Sequence, residues 1–211
     1  MILKENIFFE KAWGGILGII SVIIGVLGMC ISYSAIPGYN MLDNMVSDLG
    51  VGPLGLFFNI GFILSGIIAI PYYLNLSYIF QQEGMNHRLI LGSIIFSLVS
   101  SITYSFVGIF PAIQSKPLIY LAHGTFASIT VMCGAGYLLL FGYMMYTSER
   151  FKKGHAMYSM FVFVFYIMLL FTWIPIIEWT ATLSILFWNF FNSLYLLILN
   201  KKNKIKKKSK Q

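Results

Sequence analysis

Apolar residues run almost unbroken through six stretches of the chain, at residues 13–35, 53–80, 89–110, 118–146, 156–175 and 181–199, with short polar breaks between them. Each stretch is about as long as the roughly 20 residues that an α-helix needs to cross some 30 Å of hydrocarbon. The pattern predicts an all-α fold: a polytopic integral membrane protein, a six-transmembrane-helix bundle forming one domain over residues 1–200, with a basic tail at 201–211. Composition agrees. Hydrophobic residues make up 58% of the chain and charged ones 10%, far below the roughly 25% charged share of soluble domains. The first apolar stretch has full span length and no small-residue cleavage pattern, so it is expected to remain as a membrane helix.

Within the spans the few small and polar positions are ordered. Gly14, Gly18, Ser21, Gly25, Gly28, Ser32 and Ala35 alternate in steps of four and three along the first span. This is a packing stripe, because helices in lipid associate through close approach of small faces; it is also the surface on which a homo-oligomer would form. Ser93, Ser97, Ser100 and Tyr104 share a face of the third span, beside Ser101 and Ser105, and are expected to face protein or a cavity. The fifth span reads as lipid-facing, with Trp173 at the outer interface. Pro71 should kink the second. Asn189 and Asn192 in the sixth read as interhelical hydrogen-bond partners.

Charge adds an orientation. Of fourteen Lys and Arg, seven lie in the tail, and Lys4, Lys11, Arg88, Arg150, Lys152 and Lys153 fall on the same side if the spans alternate; only Lys116 falls on the other. The positive-inside rule then places both termini in the cytoplasm of a cell whose plasma membrane the chain crosses several times. The net charge of +7 is read as contact with anionic lipid headgroups and not as nucleic-acid binding. Cys30 and Cys133 lie inside spans and read as packing residues, so neither a disulfide framework nor a metal cluster is indicated. His87 and His155 fall in cytoplasmic connections, away from His123, and no cofactor or metal site is expected.

Candidate chemistry gathers at the outer end. The connection at residues 36–52 is the longest and most polar, with Tyr39, Asp43, Asn44, Ser47 and Asp48, and long loops in compact folds tend to be functional. Asn59, Tyr104 and His123 each lie roughly 8 to 9 Å below the outer ends of their helices at 1.5 Å per residue. His123 is the one clearly intramembrane ionisable side chain, hence a functional candidate. Asp48 either bends over the start of the second helix, favoured by its dipole, or orients His123 as an acid/base pair.

These residues also carry a family likeness. Ser47-Asp48-Leu49-Gly50 ahead of a helix beginning at Pro53, then Phe58-Asn59 and Gly61, then Val107-Gly108-Ile109-Phe110-Pro111, then Leu121-Ala122-His123, resemble the domain of unknown function 998 (DUF998) family of six-helix membrane proteins. The resemblance implies the architecture and a focus at Asp48, Asn59 and His123, with no activity attached. Ala112 stands where family members often carry an acid. A more distant similarity extends to the Frag1, DRAM and Sfk1 group, some linked to lipid handling. The leading expectation is a bundle that binds a lipid headgroup or small polar ligand in an outward pocket, with Asp43, Asn44, Ser47, Asn59 and Tyr104 contributing. The alternatives are an intramembrane lipid-modifying enzyme using Asp48 and His123, and a small transporter.

Overall fold

The structure, a computed structural model, describes residues 13–208, with side chains described through Lys201. Lys4, Lys11 and the side chains of the basic tail beyond Lys201 lie outside the described residues. Six helices form: α1 (Trp13–Ser34), α2 (Gly55–Gln82), α3 (His87–Ile109), α4 (Pro117–Thr147), α5 (Lys153–Thr172) and α6 (Pro175–Lys208), with a short 3-10 helix at Val46–Gly50 between the first two. All six helices are long and apolar enough to span a membrane. The protein is thus an all-helical, multi-pass membrane bundle, and six crossings return the chain to the face from which it started.

The helices stop where local chemistry stops them. Asn86 accepts a hydrogen bond from the Arg88 amide (2.9 Å) at the start of α3, satisfying a donor that has no partner inside the helix. Gly84, with φ of +72°, ends the α2 turn in the left-handed region, where the Met85 amide reaches back to the Phe80 carbonyl as C-terminal caps do. Pro117 and Pro175 open α4 and α6, where a missing amide costs nothing. Pro71 sits within a helix that continues unbroken from Gly55 to Gln82. The sixth helix begins earlier than the hydropathy pattern indicates: Glu178 belongs to its first turn and not to a connection, because Pro175 nucleates the helix ahead of the apolar run. His155 likewise lies in α5, and its Nδ1 meets Asn192 Oδ1 of α6 at 2.9 Å.

Each helix packs on the next in chain order, and α1 closes the circle against α6. The small-residue stripe makes this closure. A Cβ at Gly28 would stand 2.6 Å from the Phe57 carbonyl oxygen, and Gly61 lies directly opposite. Gly14 and Gly18 meet Asn75, Tyr72 and Ser193. The opposite face of α1, with Ile16, Ile20, Ile23, Leu27 and Ile31, is exposed as a lipid-facing surface should be. Hydrogen bonds reinforce the seams: Ser21 donates to the Ser65 carbonyl (2.9 Å), Ser105 to that of Ile63 (3.1 Å), Ser100 to that of Thr130 (3.0 Å), Ser159 to that of Leu138 (2.9 Å) and Tyr158 to that of Ser184 (3.1 Å). The serines of α3 are therefore buried, as their shared face implies.

On the face bearing the 83–86 and 148–152 connections, Arg150 pairs with Glu83 at 3.3 Å and Ser148 donates to the same carboxylate at 2.9 Å. Gly28→Leu should lower stability by about 2 kcal/mol, since overpacking a closely fitted contact costs about 1–3 kcal/mol. Gly124→Ala, where nothing lies within 4 Å of an added Cβ, should raise it by about 0.5–1 kcal/mol through helix propensity. Thermal unfolding of detergent-solubilised protein checks both, and an unchanged Gly28→Leu melting temperature would contradict the packing assignment.

Candidate functional site: a polar cavity under a tethered loop

Two apolar clusters fill the ring at different depths. Toward the termini, Tyr72, Tyr73, Tyr137, Phe141 and Trp188 pack ring on ring, with Tyr137 and Phe141 each 6.1 Å from Trp188 between centroids. Toward the other face, Phe58, Phe62, Val107, Trp179 and Leu49 form a second cluster. Between them lies a cavity of about 110 Å³ bounded by all six helices. Polar groups are set into a mostly apolar wall: Ser21, Ser65, Ser100, Tyr104 and Thr130 contribute at mid-depth, Tyr73, Tyr137 and Asn189 at the inner end, Trp173 and Glu178 at the outer end. Glu178 and Asn189 are separated by roughly 16 Å along α6 at 1.5 Å per residue.

Most of these groups already have partners. The Ser21 and Ser65 hydroxyls lie 3.1 Å apart, Thr130 donates to Thr103 (2.8 Å) and Tyr73 to Tyr137 (3.1 Å). Tyr104 bonds Ser65 and stacks on Phe62 at 4.3 Å. Asn189 bonds Tyr73, but its side-chain oxygen is buried with no partner. That leaves a buried acceptor on a residue of the cavity wall, which carries a desolvation cost of about 1–3 kcal/mol until met.

The 35–54 segment covers the outer end. Glu178 accepts the Val46 amide at 2.6 Å and also that of Ser47, two amides at the start of the 3-10 helix. The Trp179 indole N–H donates to the Asn44 carbonyl (3.1 Å), and Asn59 Nδ2 to the Gly50 carbonyl (3.0 Å). Tyr39 donates to the Met45 carbonyl and packs edge-on against Tyr33 and Trp179; burial holds its phenol well above the usual range. Ser32 of α1 receives the Phe58 amide (3.1 Å) and donates to the Leu54 carbonyl (2.8 Å), so α1 caps the start of α2.

The residues singled out in the sequence distribute over three places. Tyr104 lines the cavity. Asn44, Ser47 and Asn59 fasten the loop, while Asp43 is exposed and accepts from Asn40 Nδ2 at 2.7 Å. Asp48 caps its own turn, accepting the Met45 amide at 2.8 Å, instead of lying over the start of α2. His123 Nδ1 meets the Phe110 carbonyl at 2.7 Å, where it holds the end of α3 to α4. Asp48 bears on His123 electrostatically, yet each makes its hydrogen bond to backbone. No group of three potential metal ligands gathers among the described residues.

Sequence reasoning left Glu178, Trp173, Tyr73, Tyr137 and Tyr166 out of the site. Glu178 was visible only as an acid just after Pro175; its loop partners are 132 positions away. Trp173 was legible only as an aromatic residue at the outer interface. It is the α5 C-cap and takes φ of +49°, a left-handed conformation that costs a bulky L-residue about 1–2 kcal/mol. His123→Ala should leave the Phe110 carbonyl without its partner and lower stability by about 1–2 kcal/mol. Asn59→Ala should speed amide hydrogen exchange at Val46–Gly50 while leaving the core of α2 protected. Unchanged exchange in the loop would contradict the tether.

Among curated proteins and among solved structures nothing matches the chain, and no match ties it to the Frag1, DRAM and Sfk1 group. One family model does match, that of a protein of unknown function (DUF998), and it covers residues 19–193, from early α1 to late α6. With four helices wholly and the first and last largely inside the match, the chain belongs to the DUF998 family.

Proposed function

We propose that this protein is a membrane-embedded binding protein that takes a lipid or a small polar ligand into the cavity between its six helices. The observation that carries this reading is the cavity itself: about 110 Å³ of space between the six helices, with several hydroxyls, Asn189 and Glu178 set into a mostly apolar wall. A purely structural bundle gains nothing from such a void, because interiors are otherwise close-packed. Ligand sites are concave, largely preformed and furnished with a few polar groups. The 35–54 segment then acts as the cover of the site, held by Glu178, Trp179 and Asn59.

The basic side chains on the opposite face support an arrangement with both termini in the cytoplasm of a cell bounded by this membrane, so that the cavity and its cover face outward. Anionic headgroups are then the natural contacts of the tail. Leu42→Cys, in the loop, should be labelled on intact cells by a membrane-impermeant thiol reagent, and Glu149→Cys only after lysis; the reverse pattern would invert the orientation.

Ala127 lines the cavity from α4, and Ala127→Phe should fill it. Native mass spectrometry of the protein released from membranes should show a bound small molecule or lipid on the wild type and a several-fold lower occupancy on the variant, at similar helix content. Equal occupancy of the two, or an empty wild type, would remove the basis for a ligand in this cavity.

A further inference from the structure

Each end of the cavity carries an acceptor with no donor or basic side chain paired to it. At the inner end it is the buried oxygen of Asn189. At the outer end it is the Glu178 carboxylate, which receives two backbone amides, with Asp48 bearing on it electrostatically. No basic side chain among the described residues pairs with either acid; their one ion pair, Arg150–Glu83, lies at the opposite face. Withdrawing a carboxylate from water without a cationic partner is costly. The Val46 and Ser47 amides offset part of that cost.

Trp173 supplies the second element. It is the only non-glycine residue with positive φ among the described residues, and its side chain lines the cavity that Glu178 closes. A bulky residue kept in a sparsely populated backbone region points to a functional constraint on where its ring stands. An aromatic face in the same pocket as an unneutralised carboxylate suits an organic ammonium, since the ring quadrupole and the carboxylate attract the same charge. A hard metal cation would want six or more oxygen ligands, and no such cluster gathers among the described residues.

We infer that the cavity, on the ligand-binding reading above, takes an organic ammonium, with its cationic head between Glu178 and Trp173 and its stem directed inward to donate a hydrogen bond to Asn189. The same chemistry is offered by the head of an amine-headed lipid and by a free amine, and Glu178 and Asn189 stand roughly 16 Å apart along α6.

The test uses the full-length protein in nanodiscs, titrated by calorimetry with four probes: tetramethylammonium, spermidine, lysophosphatidylethanolamine, and lysophosphatidylglycerol of the same acyl chain. The expected result is saturable binding of ammonium-bearing probes, at least tenfold tighter for the ethanolamine lipid than for the glycerol lipid if the source is a lipid. Binding of spermidine would assign the site to a free amine, and binding of tetramethylammonium would support the subsite for the cationic head alone. Glu178→Gln, which keeps an oxygen for the Val46 amide, should weaken ammonium binding at least tenfold. Trp173→Gly should weaken it several-fold while the melting temperature holds or rises, because glycine relieves the left-handed strain. A lower melting temperature with unchanged binding would mark Trp173 as packing alone and overturn its part in the inference. Equal binding of the two lysolipids, both lost in Ala127→Phe, would overturn the ammonium assignment and leave the cavity as a binding site. No binding of any probe, together with an empty wild type by mass spectrometry, would remove both.

Discussion

The close approach of α1 to its two neighbours is the contact on which the rest depends. Lipid supplies no hydrophobic drive between helices, so their association rests on surface fit and on hydrogen bonds made across seams. At Gly28 and Gly61 two backbones come so near that a methyl group would collide with the Phe57 carbonyl, and Ser21 and Ser65 bond one helical step below. Further along, Gly14 and Gly18 admit Asn75, Tyr72 and Ser193. One helix thereby touches both the second and the last, which turns a row of six helices into a closed ring.

A closed ring of six helices leaves a centre that must be filled or used. The half nearer the termini is filled, by Tyr72, Tyr73, Tyr137, Phe141 and Trp188 packed against one another. The other half is capped by the 3-10 helix, whose Val46 and Leu49 enter the second apolar cluster. Between plug and cap the serines, threonines and tyrosines hydrogen-bond mainly to the helices beside them, so they stiffen the walls without closing the space. Glu178 belongs to both functions: its carboxylate lines the cavity and also holds the cap through Val46. Any ligand that engages this carboxylate bears at once on the fastening of the loop.

The turn between α5 and α6 gathers the costs that the rest of the fold avoids. It is only Trp173 and Ile174 long, carries the left-handed tryptophan, and is followed by Pro175 and the first-turn acid Glu178. Elsewhere among the described residues the left-handed positions are glycines, and Glu83 is paired with Arg150. The strained tryptophan and an acid without a basic partner thus stand within five residues of each other and line the same cavity.

Six spans, an all-helical domain, the small-residue seam of α1 and the buried serine face of α3 were legible in the chain, because each is a local pattern: runs of apolar residues long enough for a bilayer, and small or hydroxylated residues at helical spacing. The family, too, was readable from short motifs around Asp48, Asn59 and His123. What those residues do was not. His123 meets a carbonyl at the end of α3 and Asp48 caps its own turn, since each found a backbone partner that no spacing in the sequence announces. The cavity, the role of Glu178 and the posture of Trp173 were decided by the tertiary structure alone. They follow from which helices become neighbours when the ring closes, and that depends on contacts between residues more than a hundred positions apart.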